Sequence, residues 1–268
     1  MTAQSLSGAR GACYLAAIVL ACSMLACRTS SVAREVNADA AACIPSDTIV
    51  LAGVDLDRLR AAPLYSKLPA AVVALAGSYS TASSALLAYN GKELLAIARG
   101  QFAKAPPGSV LAAPNLALFG SEQLVTAAMA QYRSHAAGAP AVLARAKSVA
   151  ADRQIWIVMQ GGVDLPLTGN AANLNHLLRN AESASVTVNV DSELALAITV
   201  LGRTADSARN VEETVRAEIT LAAAAEARRP DLAKLLRSIS IDRDDRTVRI
   251  MLSADADVAA KLLAALVN

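Results

Sequence analysis

All four cysteines of this 268-residue chain, Cys13, Cys22, Cys27 and Cys43, lie before residue 44. A disulfide framework and a cysteine metal site each need several thiols within the folded region, so both are excluded for everything after Cys43. Aromatic residues make up only 3% of a chain that is 54% hydrophobic. Its core must therefore be built from Ala, Leu, Val and Ile, with few large rings to fill it. Histidine is scarce too, with only His135 and His176 present, which leaves little room for a general base, a catalytic triad or a zinc site. Neither sign of charge dominates: 25 basic residues against 23 acidic ones give +2. These charges are scattered rather than blocked, so no footprint for a phosphate backbone forms and nucleic acid is not an expected partner. The 18% charged fraction, together with sustained apolar periodicity, speaks against a disordered chain apart from short tethers.

Recognisable catalytic equipment is also missing. There is no G-x-S-x-G elbow, no Walker loop, no G-x-G-x-x-G and no H-E-x-x-H. Gly161-Gly162 follows a strand-like run but lacks the third glycine and the helix start that a dinucleotide site needs. Carboxylates gather at Asp55 and Asp57, at Asp191 and Glu193, and at Asp242, Asp244 and Asp245. All of these fall at strand ends or turns, where Asp side chains cap local backbone. A calcium loop would need a central glycine and a closing glutamate, which the Asp242 group does not have. His176 shares the polar stripe of its helix with Asn173 and Asn180 and reads as a solvated surface residue. His135 reads as a helix C-terminal residue whose ring interacts favourably with the dipole. Trp156, flanked by aliphatic residues, reads as core rather than as a ligand platform. No cofactor, metal or catalytic residue is expected.

What is present begins at the N-terminus. Residues 1–10 are polar with one basic side chain, residues 11–26 are almost wholly apolar, and polar residues resume at Arg28. That is the pattern of a secretory signal, and its apolar run of about 16 residues is short of the roughly 20 a membrane-spanning helix needs. Met24-Leu25-Ala26-Cys27 resembles the lipobox of bacterial lipoproteins, in which a small residue precedes a cysteine that is acylated and becomes the mature N-terminus. Val19-Leu20-Ala21-Cys22 resembles it as well. Cys27 is preferred because the solvated stretch Arg28-Thr29-Ser30-Ser31 follows it, whereas Cys22 would leave Met24-Leu25-Ala26 beside the lipid. The resemblance departs from the family pattern at Leu25, where Ala or Ser is usual, and in its weakly basic start. It implies an exported protein held to a membrane by N-terminal acyl chains, two or more of which anchor stably. The alternative is a plain signal peptide cut near Ala26, leaving a soluble periplasmic protein.

Residues 27–43, with few large apolar side chains and no periodicity, read as a flexible tether. Beyond them the run from Ile49 to Leu56 is β-branched and apolar, as in a buried strand. Pro63 then opens a helical stretch carrying Leu64, Leu68, Val72 and Leu75, with Pro69 as a kink. Asn90-Gly91 marks a hairpin, Ser121 caps a helix with Leu124, Ala128 and Tyr132 on one face, and a helical connector covers 141–149. A second round follows. It has a strand at 154–159, a helix at 170–181, a hairpin about Asp191-Ser192 and a long helix carrying Ala208, Val211, Val215 and Ile219. A hairpin about 243–246 and a last helix capped by Ser253, with Leu262 and Leu266 inward, complete it.

Gly53-Val54-Asp55-Leu56 recurs as Gly162-Val163-Asp164-Leu165, and the order of elements recurs with it, which suggests a degenerate internal duplication. The fold expected is α+β. It comprises two repeats of strand, helix, hairpin, a connection that can be helical, strand and helix, each a ferredoxin-like split βαβ unit with an antiparallel sheet. They cover 44–140 and 141–268, side by side or fused.

These features together point to a non-catalytic cell-envelope lipoprotein that binds an envelope protein or a small apolar ligand. The alternatives are a carrier or chaperone with an apolar cavity, and an enzyme whose site assembles from scattered Asp, Arg and Ser residues.

Overall fold

The computed structural model describes residues 34–67, 73, 77, 80–136, 138–163, 165, 174–226 and 228–259. The signal, Cys22, Cys27, the first part of the tether, Leu68, Val72, Leu75, Asn173, Leu262 and Leu266 lie outside them. Ten strands form one antiparallel sheet. In chain order the elements are α1 (Ala38–Ala42), β1 (Val50–Asp55), α2 (Leu56–Ala61), a 3-10 turn (Pro63–Lys67), β2 (Ala82–Tyr89), β3 (Leu94–Gly100), β4 (Val110–Ala113), β5 (Leu116–Phe119), α3 (Glu122–Arg133) and α4 (Pro140–Lys147). They continue with β6 (Ile155–Gln160), α5 (Leu174–Asn180), β7 (Ala181–Val190), β8 (Glu193–Gly202), α6 (Ala205–Ala225), α7 (Pro230–Arg237), β9 (Ser240–Asp244) and β10 (Thr247–Asp255).

Across the sheet the order is β4-β5-β3-β2-β1-β6-β7-β8-β10-β9. Read outward from the β1–β6 pair, both halves run first strand, second, third, fifth, fourth. The sheet passes unbroken across the boundary expected at residue 140. At the junction Val50 faces Met159 and Gly53 faces Trp156. A Cβ on Gly53 would overlap the Trp156 indole, so the glycine provides the room in which the ring, only 2% exposed, lies over the sheet.

The expected ferredoxin-like arrangement is corrected here. Such a unit runs its first two strands parallel and seats the third between them. Here β1 pairs directly and antiparallel with β2, and β5 and β4 add beyond β3. The link through α2 and the 3-10 turn thus returns the chain in the opposite direction. One split arrangement does occur, with other strands: β10 sits between β8 and β9, which α6 and α7 connect. The recurring tetrapeptide also marks unlike places, since Gly53 lies inside β1 and Gly162 lies past the end of β6.

Residues 34–43 are not tether. Asn37 caps α1 by accepting from the backbone N–H groups of Asp39 and Ala40, and Ala40, Cys43 and Ile44 are buried. Gln131 of α3 donates to the carbonyls of Ala42 (2.8 Å) and Ile44 (2.7 Å). Burial, with Asp39 nearby, pushes the Cys43 thiol up to about 11, so this cysteine behaves as a small apolar core residue. Arg34 Nη2 donates to the carbonyls of Ala150 (3.1 Å), Ala151 (3.2 Å) and Arg153 (2.5 Å). Its guanidinium lies 5.2 Å from the Trp156 ring centroid. The sequence signal was weak because small residues pack this segment and periodicity is read from large ones.

Other expectations differ by local chemistry. The last helix is capped by Asp255, whose carboxylate accepts from the N–H groups of Asp257 and Val258; β10 runs on through Ser253. At the first hairpin Asn90 Oδ1 accepts from Lys92 and Glu93, and Gly91 takes φ +98, a left-handed conformation glycine adopts without a Cβ penalty. The third hairpin is tighter than expected, with Asp244 paired to Thr247.

The two faces of the sheet are covered differently. In the first half Leu51, Ala88, Leu95, Ile97, Leu118 and Val158 pack with α1, α3 and α4. In the second half the opposite face, with Met159, Ala184, Val200 and Val248, packs under Ala208, Val211 and Val215 of α6. Alternation along each strand puts successive side chains on opposite faces. Helix α6 starts at a Thr204–Ser207 capping box and is clamped to β9: Glu212 accepts from Arg243 Nε (2.7 Å) and Arg216 Nη2 (2.9 Å).

Two outcomes are expected. Gly53→Val forces the Trp156 ring out of its seat and lowers stability by about 1–3 kcal/mol or more, the usual range for overpacking. Pairing it with Trp156→Leu recovers part of that loss; urea unfolding of the two variants measures both. The hydrogen bonds from Arg243 and then Arg216 hold the Glu212 carboxyl below the usual range. Its contribution is therefore fully present above the unfolded glutamate pKa of about 4.3 and is lost as pH falls through the lower folded value. The urea midpoint of Glu212→Gln should lie below wild type by a constant amount from pH 8 to 5, and the gap should close below about pH 4.

Candidate binding surface

The second half of the sheet leaves one face without a covering element among the described residues. Ser183, Ser185, Thr187 and Asn189 of β7 alternate with Ala184 and Val190, which are buried on the other side. Register pairs Ser185 with Thr199, Thr187 with Ala197 and Asn189 with Ala195 on β8. It then pairs Thr199 with Arg249, Ala197 with Met251 and Ala195 with Ser253 on β10. The result is a broad surface of hydroxyls and methyl groups, with Met251 46% exposed near its outer edge. Its inner edge is bounded by Trp156 and the end of α4.

At one end of this face a buried polar network fixes the strands. Gln154, 2% exposed, accepts from the Val190 N–H (2.6 Å) and donates to Asp191 Oδ1 (3.0 Å). Its own N–H donates to Asn189 Oδ1 (3.0 Å), and its carbonyl accepts from the Asp55 N–H (2.8 Å). Both ends of the amide are satisfied, which is the condition for burying it without a large penalty. The sequence places Gln154 at the start of a strand, and a lone glutamine there gives little signal of a buried polar network.

The residues singled out in the sequence fall at separate places. Asp55 caps α2 by accepting from Arg58 N–H (3.0 Å), and Asp57 pairs with Arg60 (3.1 Å). Asp191 holds Gln154, while Glu193 accepts from Ser253 Oγ (2.8 Å). Asp242 lies 3.7 Å from Arg249, and Asp245 turns the third hairpin at φ +49. His135 is exposed and takes φ +52 just past α3; His176 lies in α5. Gly161 lies tight against the Ala181–Glu182 backbone, and Gly162, at φ +75, donates its N–H to the Leu178 carbonyl (2.8 Å), so the glycine pair serves a close turn. No group of three or more His, Cys, Asp or Glu side chains able to hold a metal occurs among the described residues, and no described helix is long and apolar enough to cross a membrane.

A second feature lies in the first half. A groove of about 550 Å³ runs between the β4–β5 hairpin and α3, with Val110, Leu118, Val125 and Met129 along it and Glu122 and Arg133 at its rim. Edge strand β4 borders it, and Val110 is 47% exposed.

No protein-family model matches the chain, and no curated protein matches it in sequence. Solved structures do resemble it. Crystal form I of TP0453 superposes with a TM-score of 0.51 over 87% of this chain and 100% of that one, at 11% identity. Crystal form III of TP0453 gives 0.50 over 84% and 97%, at 9% identity. At such identities the likeness is one of fold: a mixed helix and strand architecture on an antiparallel sheet.

Proposed function

We propose that the chain is a non-catalytic cell-envelope lipoprotein, anchored through acyl chains on Cys27, whose folded body is a binding module. The open face of β7, β8 and β10 carries this reading. Its side chains on β7 and β8 are small, and most on β7 are hydrogen-bonding, so that part of it stays hydrated while free and meets a flat partner without ordering long side chains. The shared strand order on either side of the β1–β6 junction supports the proposed internal duplication, although the tetrapeptide does not. A second reading, a periplasmic carrier of an apolar ligand, is favoured by the groove between β4–β5 and α3, whose volume falls in the range of small-molecule sites.

A native mass spectrum of the protein taken from its own envelope tests this. Loss of residues 1–26 with added acyl mass is expected, and acylation at residue 22 instead would move the anchor to Cys22. An unacylated chain cut near Ala26 would refute the anchor, and a co-purified apolar molecule would favour the carrier.

A further inference from the structure

Where the open face meets the C-terminal end of α4 there is a small cavity of about 220 Å³. Arg145 and Ser148 of the α4 end line it from one side, and Ser183, Ser185, Thr199 and Thr247 line it from three strands. Register explains their convergence. Ser185 faces Thr199, Ser183 faces Leu201, and Leu201 faces Thr247, so the four hydroxyl residues share one face. Strands about 4.8 Å apart and side chains two residues apart, about 7 Å, confine them to a patch of roughly 10 by 7 Å. Val158, Ala184 and Leu201 complete the lining, and none of the lining side chains is acidic.

Arg145 gives the cavity its character. Its Nε is buried and has no hydrogen-bond partner among the described residues. A buried donor left unsatisfied is costly, more so when charged, and such a group in a native structure needs an account. The two Nη groups of a guanidinium form a fork that matches two oxygens of one anion. The surrounding hydroxyls each donate once and rotate to suit. Cationic fork, hydroxyl donors and no carboxylate together describe the first coordination sphere of an oxyanion.

We propose that this cavity binds a phosphate-type oxyanion, held by the Arg145 guanidinium and the hydroxyls of Ser183, Ser185, Thr199 and Thr247. The anion is either the free ion or the phosphate group of a larger phosphorylated molecule lying on the open face. This deepens the binding-module reading and rests on the open face being a binding surface.

Isothermal titration calorimetry tests it on the full-length protein in mild non-ionic detergent at fixed ionic strength, with inorganic phosphate and glycerol 3-phosphate as probes. Saturable one-site binding of at least one probe is expected. Arg145→Gln should weaken it tenfold or more, and the double variant Ser185→Ala/Thr199→Val should weaken it several-fold. The double variant leaves α4 untouched and keeps the test decisive if the arginine variant does not fold. Equal binding of both probes identifies the free ion, and binding of glycerol 3-phosphate alone identifies a larger phosphorylated ligand. No saturable binding of either probe, or binding unchanged in the folded variants, overturns the inference. An acylated protein that takes up neither probe refutes this inference alone, whereas an unacylated protein that binds phosphate refutes the lipoprotein reading alone.

Discussion

The antiparallel contact of β1 with β6 is the constraint on which the rest of the structure depends. It joins two five-stranded halves into one sheet, so neither half needs to protect an inner edge, and the exposed edges are left to the short outer strands β4 and β9. Trp156, the only tryptophan in the chain, lies over Gly53 at this contact. In a core built mostly of small aliphatic side chains, one large ring at the centre contributes more burial than any neighbour. Arg34 then covers the ring and ties the segment leading into α1 to the turn after α4. The N-terminal segment is thereby fixed to the centre of the sheet rather than to its rim.

Covering the two halves on opposite faces has a functional consequence. Helices α1, α3 and α4 protect one face of the first half, and α6 and α7 protect the other face of the second. Among the described residues, nothing covers the face of the second half on which β7 and β8 carry Ser, Thr, Asn and Ala and β10 carries Thr247, Arg249, Met251 and Ser253. Hydroxyl and methyl groups tolerate water, so the face needs no cover to remain soluble, and its chemistry differs from the Val and Leu rows directly behind it. The Gln154 network ties the strand ends at one margin of this face.

Much of this was legible in the sequence. Strand runs, the hairpins at Asn90-Gly91 and Asp191-Ser192, the long α6 with its inward Ala208, Val211 and Val215, the burial of Trp156 in the core and the α+β class all follow from periodicity and turn chemistry. Strand order did not follow, because β1, helix, β2 reads the same whether the chain returns parallel or antiparallel. The 34–43 segment was missed because Ala40 and Cys43 are buried without large side chains. Candidate binding residues were missed for a related reason: alternating Ser and Thr on β7 read as the solvent side of an ordinary strand, and only register shows that Ser183, Ser185, Thr199 and Thr247 meet beside Arg145.

The proposed role requires the open face of β7, β8 and β10 to engage a partner in the envelope. Site-specific photo-crosslinking measures this most directly, with the reactive side chain placed at Ala197 on the open face and, as the control, at Leu221, which is 70% exposed on α6. A discrete adduct from position 197 and none from 221 is expected. An adduct from position 221 with none from 197 would contradict it.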